Sequence, residues 1–432
     1  MKTILGCPPR FFSTNLKLTV AFILFLIIIA TPISAQAQEN LWYVFFPVSG
    51  WNTPGVFSVR GTAMGETSFG LTGAQSAFLN PAVLAGKSRP VADISSRVAT
   101  VAYYGNPIRD PYFEGYEKFK SDKTNFESAA LALKINGWNL GLGYSIYQTF
   151  NYPDINLDTY NELTCKQSGK LDAYYLSLAR RIDSWLQAGL SVAYITGAIS
   201  REHSVYYMGS SSVAQYDLKV RAVLFNIGFV FPLSSNLDLG LAIRPALNLN
   251  IKATEQVTDI DGEGIETTAD YSGSYFFQQP FVATASLSYR PVERLQLTAD
   301  LSYWPWKKAA HNLYNLYEWE LPPVDPSDAD AQTEVFLDNA LKFNLGLEYR
   351  LHLGPGAVRD LLLRGGYIYD PLHYHLWNYS RYRYAPSIIT AGVGIPIGNL
   401  EASAAVRVWL SPGNWDTFRY AAFQFGLSYS FK

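Results

Sequence analysis

Residues 422–432 read AFQFGLSYSFK, and this closing stretch decides how the rest of the chain is interpreted. Every second residue from Phe423 to Phe431 is large and apolar, and the residues between them are small or polar. Side chains of a β-strand alternate between two faces, so the stretch predicts a strand with one greasy face and one small, polar face. A strand that ends at an aromatic C-terminus is typical of outer-membrane β-barrels.

The first 37 residues have the three parts of a secretory signal peptide. Three Lys or Arg residues precede an apolar stretch, 18–30, and an A-x-A cleavage site ends at Ala37. The apolar stretch is shorter than the roughly 20 residues that a membrane-spanning helix needs, which argues against an uncleaved anchor. We therefore expect an exported chain that is cleaved after Ala37.

The composition is unusual for a soluble domain. Charged residues make up 16% and aromatic residues 15% of the chain, whereas soluble domains contain about 25% charged residues. Removing the signal peptide changes the formal net charge from −2 to −5, because it takes away three positive charges. Nothing in this balance indicates a nucleic-acid partner, and Cys165 alone cannot form an internal disulfide. An exported, charge-poor chain without an apolar helix can cross a membrane only as a closed barrel.

Fourteen segments of the chain alternate in the same way. The predicted strands are 91–104, 126–135, 138–149, 171–182, 185–198, 217–231, 237–250, 278–290, 295–306, 339–350, 360–370, 386–397, 400–410 and 420–431. Short turns such as Asn136-Gly137 alternate with long connections, as in outer-membrane barrels. The predicted long connections are 105–125, 150–170, 199–216, 251–277, 307–338, 371–385 and 411–419.

The fold class expected from this pattern is all-β: a transmembrane antiparallel β-barrel of about fourteen strands over residues 91–432. A large soluble β-sandwich or propeller has the same period, with its apolar face turned inward. The signal peptide, the rhythm of short and long connections, and tyrosines at the ends of the apolar faces favour the barrel.

Charged residues fall on the face opposite the apolar one, and the barrel places them in the lumen. They are Lys134, Arg181, Asp238, Arg244, Asp300, Glu348, Arg350, Arg364, Glu401 and Arg407. The reverse orientation would put them in lipid, where each charge costs about 2–4 kcal/mol at the midplane. They can pair with one another or with a plug. Alternatively, Arg244, Arg364 or Arg407 can bind a carboxylate ligand.

Residues 38–90 contain no strand pattern. They include the stretches GTAMGE at 61–66 and GAQSAFLNPAVLAG at 73–86. A barrel of fourteen strands is wide enough to need a filled lumen unless it is an open pore. We therefore expect 38–90 to form a hatch, or plug, inside the barrel.

The Ala-Met-Gly at 63–65 followed by Asn-Pro-Ala at 80–82 resembles the N-terminal hatch signature of the outer-membrane long-chain fatty acid transporter family (FadL/TodX type, with PorV-like relatives). The resemblance covers essentially the whole mature chain. It departs from the family at Glu66, where members often have a second glycine, and at 73–75, where they often have acidic residues. The residues assigned to the hatch are Met64, Gly65, Phe78, Asn80, Pro81 and Ala82.

The resemblance implies a monomeric barrel in the outer membrane of a Gram-negative-type bacterium. Hydrophobic ligands would bind first at the outer loops and then near the hatch, and would leave through a gap at a kinked third strand. The expected function is passive uptake of long-chain fatty acids or aromatic hydrocarbons, with hatch-gated release. The alternatives are a non-transporting scaffold or shuttle for protein secretion, as PorV-like relatives imply, and a general porin. Expected partners are the ligand, outer-membrane lipids, lipopolysaccharide and the barrel assembly machinery.

Two loops offer further candidates. Leu313, Leu316, Tyr317 and Trp319 fit a short amphipathic helix that either binds a hydrophobic ligand or simply covers the loops. Asp259, Asp261 and Glu266 fit either a Ca²⁺ site or, with their glycines, an acidic hairpin tip. No catalytic motif is present, so neither an enzyme nor a cofactor is expected.

Overall fold

A computed structural model gives the fold. It describes residues 58–71, 73–103, 119–150, 155–158, 162–207, 209–309, 336–337, 339–354, 358–371, 374–375, 387–410 and 418–431. The predicted signal peptide and the first part of the predicted hatch, 38–57, lie outside these residues. So do the four loop candidates Leu313, Leu316, Tyr317 and Trp319.

Short helices lie at the N-terminal end of the described chain and after one strand. They are the α-helix α1 (Val59–Ala63) and the 3-10 helices η1 (Ser68–Gly70), η2 (Gly73–Phe78), η3 (Pro81–Gly86) and η4 (Trp306–Lys308). Among the residues that the structure describes, no helix is long and apolar enough to cross a membrane.

Strands account for most of the remaining described residues. They are β1 (Val91–Tyr103), β2 (Phe119–Ile135), β3 (Trp138–Thr149), β4 (Ile155–Asp158), β5 (Glu162–Asp183), β6 (Leu186–Tyr207), β7 (Ser210–Ser234), β8 (Leu237–Arg244), β9 (Leu247–Ile260), β10 (Glu266–Gln279), β11 (Val282–Val292), β12 (Leu295–Trp304), β13 (Phe336–Leu337), β14 (Ala340–His352), β15 (Asp360–Tyr369), β16 (Tyr374–His375), β17 (Ser387–Ile397), β18 (Leu400–Leu410) and β19 (Phe418–Ser430).

These strands form a closed antiparallel barrel, which confirms the predicted fold class. β1 pairs with β19 from Val91↔Ser430 to Tyr103↔Phe418, so the last strand closes the barrel against the first. β8 with β9, and β10 with β11, are each one barrel strand with a short interruption, and β4 is an extension paired with β5. Counted in this way, the described barrel has fourteen strands.

Several strands continue beyond their predicted ends. The segments 199–216 and 251–277, expected as long loops, are mostly paired strand: β6 and β7 pair as far as Tyr207↔Ser210, and β9 and β10 pair as far as Ile260↔Glu266. At the tip, Oδ1 of Asp261 accepts hydrogen bonds from the backbone N–H groups of Glu263 (2.9 Å) and Ile265 (2.8 Å), so this carboxylate closes a hairpin turn.

The polarity of the two faces reverses along these long strands. On the outward face of β7, Val223 and Phe225 are 49% and 51% exposed in the protein alone and would face lipid, whereas the exposed side chains of Lys219 and Arg221 follow further along the strand. On the inward face of β7, the buried residue at the membrane level is the polar Asn226, whereas further along the strand the buried residues are apolar, such as Leu218. The outer boundary of the membrane therefore lies close to Val223. The expectation of a small or polar lumen face holds at the membrane level but not beyond it.

Candidate functional site: a chamber between two plugs

The described residues 58–71 and 73–90, called here the hatch segment, lie inside the barrel against its inner wall. Glycines on the wall mark the places of closest approach. A Cβ atom at Gly366 would lie 2.5 Å from Cα of Gly65, and one at Gly189 would lie 2.5 Å from the backbone N of Ala82. Real Cβ atoms do not approach other atoms this closely, so the backbones of the hatch segment and the wall touch only because these residues lack side chains. Other glycines facing the hatch segment in this way are Gly141, Gly228, Gly346, Gly392 and Gly426.

Asn80 fixes the second half of the hatch segment. Its Oδ1 accepts a hydrogen bond from the N–H of Ala82 (3.0 Å) and caps η3, while its Nδ2 donates to the carbonyl of Phe229 in the wall (3.1 Å). Pro81 occupies the first turn of η3, where its missing N–H is not needed. One asparagine thus orders the hatch segment and attaches it to β7.

A network of ion pairs holds the first half. Nε of Arg60 in α1 lies 2.8 Å from Glu348, and Nε of Arg364 lies 2.7 Å from the same carboxylate. Arg364 also donates to Glu401 (2.7 Å) and to Ser403 (3.1 Å). The guanidinium of Arg364 is therefore paired with two wall carboxylates, Glu348 and Glu401, and Glu348 also pairs with Arg60.

Glu66 is a second charged contact between hatch segment and wall. Its carboxylate lies 2.6 Å from Nη1 of Arg407 and 3.6 Å from Nζ of Lys342. The backbone φ of Glu66 is 59°, a left-handed conformation that favours glycine. The second glycine that family members often have at this position fits the left-handed conformation. In the present chain Glu66 adopts the same conformation at some cost in backbone strain, and its carboxylate is buried.

The third barrel strand, which the resemblance expects to be kinked, carries a bulge. Ile146 pairs with Asp172 and Gln148 with Leu171, so Tyr147 is an extra residue. Its hydroxyl donates to Oε1 of Gln279 across the lumen (2.9 Å). In the described chain, the pairing of β3 with β2 ends at Ser145, although β2 stays paired with β1 beyond that point.

Tyr147 belongs to a group of buried aromatic residues on the extracellular side of the hatch segment. We call Tyr147, Phe150, Phe277, Trp304 and Trp306 the aromatic plug. The rings of Trp304 and Trp306 stack at 5.9 Å, and Phe277 lies 5.9 Å from Trp306. The lumen is thus filled at two levels.

A chamber lies between the two levels, with about 550 Å³ of space free of protein atoms, part of which is open to solvent. The hatch segment contributes Phe78, Leu79 and Glu66, and the aromatic plug contributes Trp304. The wall contributes Asn226, Ala242, Arg244, Val282, Thr284, Asp300, Ser302, Lys342 and Asn344. The chamber therefore has both apolar and charged residues in its walls.

Arg244 is the distinctive group of the chamber. Its side chain is on the inward face of β8, and the residue is only 6% exposed. Among the described residues, its Nε and Nη2 atoms have no hydrogen-bond partner. The guanidinium lies over the ring of Trp304 at 4.4 Å. A buried cation with unused donors is costly unless a ligand or water satisfies it.

The sequence-predicted residues thus separate into groups. Met64, Gly65, Phe78, Asn80, Pro81 and Ala82 all lie in the hatch segment at the wall or the chamber. Arg364 and Arg407 hold carboxylates of the wall and of the hatch segment, and Arg244 alone of the three lines the chamber. Sequence reasoning missed Lys342 and the aromatic plug. The Trp304-Pro-Trp306 stretch at the end of a strand was a usable signal for the plug.

The closed fourteen-strand barrel has the fold of FadL-type barrels. The family model for BamG matches residues 17–408, and the chain belongs to this family. No curated protein matches the chain.

Solved structures show the same fold. The chain is similar to a Pseudomonas aeruginosa FadL homologue at 15% identity and a TM-score of 0.64, with 87% of this chain and 98% of that chain covered. It is similar to the Pseudomonas putida toluene transporter TodX at 14% identity and a TM-score of 0.61, covering 88% and 98%. It is also similar to the Ralstonia pickettii toluene transporter TbuX at 14% identity and a TM-score of 0.56, covering 87% and 98%.

Proposed function

We propose that this protein is an outer-membrane channel for passive uptake of hydrophobic small molecules, which pass through the chamber. The observation that carries the proposal is the apolar interior of the barrel on the extracellular side. The inward residues there pack into one buried core and include Leu171, Ala173, Ile195, Ile199, Leu218, Val220, Leu249 and Ile251. Water-filled porins have polar interiors, whereas an apolar interior beside the chamber suits a hydrophobic solute.

The filled lumen disfavours a general porin. Tyr147 and Trp306 are almost completely buried on one side of the chamber, and Met64 and Ala82 on the other. An aqueous pore needs a continuous polar path, and these buried apolar side chains lie on both sides of the chamber.

Release past the hatch segment requires a local movement rather than ejection of the whole segment. Breaking a buried ion pair by removing one partner costs about 3–5 kcal/mol, and Arg60 and Glu66 both take part in such pairs. Phe78 and Leu79 line the chamber, and the contacts that hold them to the wall carry no charge, such as the hydrogen bond that Asn226 donates to the carbonyl of Leu79 (3.0 Å) and the ring contact of Phe78 with Tyr175. We infer that this corner of the hatch segment moves when a ligand leaves.

Uptake into liposomes tests the proposal. Purified protein is reconstituted, and influx of oleate and of toluene is compared with protein-free liposomes. Ala242→Trp fills the chamber and is expected to lower the protein-dependent rate about tenfold or more, because a Trp side chain occupies most of the narrow route. Leu241→Trp, on the outward face of the same strand, is the matched control and should leave the rate unchanged. An unaltered rate in Ala242→Trp, or no protein-dependent influx of either compound, would contradict the proposal.

A second candidate function is favoured by the family assignment. The name BamG relates this family to the barrel assembly machinery, so a non-transporting barrel that acts with that machinery is the alternative. The firm anchoring of Arg60 and Glu66 suits such a structural role. Copurification with the assembly machinery, together with lower levels of other barrels on depletion and normal hydrocarbon uptake, would favour it. Uptake loss with unchanged barrel levels favours the channel.

We also expect the protein to be a monomer in the membrane. The pairing of β1 with β19 leaves no open sheet edge for a second copy. The outward apolar belt is expected to contact lipids, and the exposed, positively charged Lys219 and Arg221 are expected to contact lipopolysaccharide phosphates. Light scattering of the detergent-solubilised protein measures the oligomeric state. Binding of lipopolysaccharide, and competition of that binding by inorganic phosphate, measures the contact with lipopolysaccharide phosphates.

A further inference from the structure

A row of tyrosines marks the outer edge of the lipid-facing belt on one side of the barrel. The strand register places Tyr144, Tyr174 and Tyr194 side by side on β3, β5 and β6, and Val223 of β7 is the next member of the row. The hydroxyl of Tyr144 donates a hydrogen bond to Asp172, which lies further toward the extracellular side (2.7 Å). Amphipathic rings of this kind collect where hydrocarbon meets the lipid head groups. This tyrosine row therefore gives the height of the outer interface.

Three cations lie just beyond this height. Arg221 is two residues further along β7 than Val223, and Lys219 is two residues further again. Lys252 of β9 is the register partner of Lys219. All three side chains are exposed on the outward face, and we call them the cation patch. At about 3.3 Å per residue and a strand tilt of about 40°, Arg221 lies about 5 Å and the lysines about 10 Å above the tyrosine row, so that their long side chains reach the head-group layer.

The two lysines of the cation patch repel each other. Lys219 and Lys252 are directly opposite in the ladder, with Cα atoms about 4.5–5.5 Å apart, and like charges in this arrangement destabilise a sheet. Within the described chain, neither lysine nor Arg221 forms an ion pair with a carboxylate. Asp172 is already paired with a lysine of its own strand at 3.0 Å, and Asp217, further along β7, forms no ion pair. The cation patch is therefore an anion-binding surface that the described residues do not neutralise.

The surroundings of the patch identify the anion as a lipid phosphate. The ammonium groups of Lys219 and Lys252 are close enough to share one phosphate, and the guanidinium of Arg221 suits paired hydrogen bonds to phosphate oxygens. Toward the membrane, the outward face of β7 continues with the exposed apolar side chains of Val223 and Phe225, against which acyl chains can lie. In the outer leaflet of the outer membrane, the lipid with phosphates above several acyl chains is the lipid A part of lipopolysaccharide.

We propose that the cation patch and the tyrosine row form a binding site for one lipopolysaccharide molecule. A lipid A phosphate lies between Lys219 and Lys252 and accepts hydrogen bonds from Arg221, and the acyl chains lie along Val223 and Phe225. The phosphate removes the repulsion between the lysines, so the occupied wall is more stable than the empty one. This inference deepens the contact with lipopolysaccharide proposed above and rests on that part of the proposed function, not on what passes through the chamber.

Binding of four probes to the purified protein in detergent tests the site. The probes are deep-rough lipopolysaccharide, the same lipid without its phosphates, dioleoyl phosphatidylglycerol and inorganic phosphate. The intact lipopolysaccharide should bind at least about tenfold more tightly than each of the others. Lys219→Gln with Lys252→Gln should weaken its binding by about 10–100-fold, because hydrogen bonds to a charged group are lost. Lys134→Gln with Arg359→Gln removes two exposed cations at the opposite end of the barrel and is the matched control.

A charge reversal separates binding of the lipid from a role of the lysines in the sheet. In Lys252→Glu the new carboxylate is directly opposite Lys219 and can form a cross-strand ion pair. Without lipopolysaccharide, this variant should unfold about 1–3 °C higher than the unaltered protein, because the repulsion is replaced by attraction. It should nevertheless bind deep-rough lipopolysaccharide at least about tenfold more weakly. Lipopolysaccharide should raise the unfolding temperature of the unaltered protein and not that of Lys252→Glu.

Three results would overturn the proposal: an unchanged affinity for lipopolysaccharide in the double glutamine variant, an equal affinity for the lipid without phosphates, or an equal affinity for phosphatidylglycerol. Uptake of oleate and toluene into liposomes is measured with the same proteins and should be the same in all of them, because the cation patch lies on the outer surface. No specific lipopolysaccharide binding by a protein that carries out uptake would overturn the lipid site and leave the channel. Specific binding without any uptake would overturn the channel and support the lipid site.

Discussion

Oε1 of Glu66 in the hatch segment lies 2.6 Å from Nη1 of Arg407 in the barrel wall, and the two residues are 341 positions apart in the chain. Lys342 approaches the same carboxylate from β14 at 3.6 Å. A single acidic side chain therefore connects the hatch segment to two wall strands. The contact closes the side of the chamber that faces the hatch segment.

Glu66→Gln removes the negative charge between the two cations. We expect the free energy of unfolding to fall by about 3 kcal/mol, because breaking a buried ion pair leaves a desolvated charge behind. Urea unfolding of the protein in lipid vesicles measures the change. Asp217→Asn, an exposed carboxylate on β7, serves as the control. A loss no larger than that of the control would show that the ion pair contributes nothing to hatch anchoring.

Neighbouring glycines on β15 offer a matched test of the wall contact. Gly366→Ala would bring a Cβ within 2.5 Å of Cα of Gly65, whereas the nearest atom to a Cβ at Gly365 is 4.0 Å away. Overpacking typically costs about 1–3 kcal/mol, so Gly366→Ala should destabilise the protein and Gly365→Ala should not. Protease cleavage of the hatch segment in the folded protein should increase only in the first variant. Equal behaviour of both variants would mean that the hatch segment does not press on the wall.

Asn80 can be tested by an isosteric change. Asn80→Asp keeps the acceptor for the N–H of Ala82 but replaces the donor to the carbonyl of Phe229 by a carboxylate oxygen. We expect a loss of about 1–3 kcal/mol in the free energy of unfolding, from one unsatisfied carbonyl and the repulsion beside it. Asn80→Ala loses the cap as well and should be at least as unstable. A stable Asp variant at pH 7 would contradict the bonding described for Nδ2.

The two plugs in series predict how the barrel conducts. Trp306→Ala opens the extracellular level only, so the ionic conductance of the protein in a planar bilayer should stay near zero. The same variant should admit hydrophobic solutes faster, since the aromatic plug has lost a ring. Porin-like conductance in Trp306→Ala would show that the hatch segment does not seal the lumen.

The strand pattern was readable from the sequence because the membrane imposes it. The apolar outward face of Phe423 to Phe431 identified β19, and its partner β1 was located by the same alternation. Beyond the outer boundary, the alternation continues with reversed polarity, so that Lys219 points outward and Leu218 inward. The apolar outward face that identifies a membrane strand is absent beyond this boundary. For this reason the sequence predicts loops where β6 pairs with β7 and β9 pairs with β10.

The site was only partly predictable. Arg244, Arg364 and Arg407 look alike in sequence, since each is a lone arginine on an inward face. What separates them is whether a carboxylate lies within reach. Glu348 is opposite Arg364 on the neighbouring strand of a hairpin, whereas Glu66 reaches Arg407 from the hatch segment, 341 positions away. The second kind of pair depends on the position of the hatch segment, which is not encoded locally.

Anomalous scattering from crystals of the protein soaked with dibromostearate tests the central claim most directly, namely that a hydrophobic ligand occupies the chamber between the hatch segment and the aromatic plug. Bromine density is expected inside the chamber, beside Phe78 and Trp304. Bromine density confined to the outer surface of the barrel, with the chamber unchanged, would contradict it.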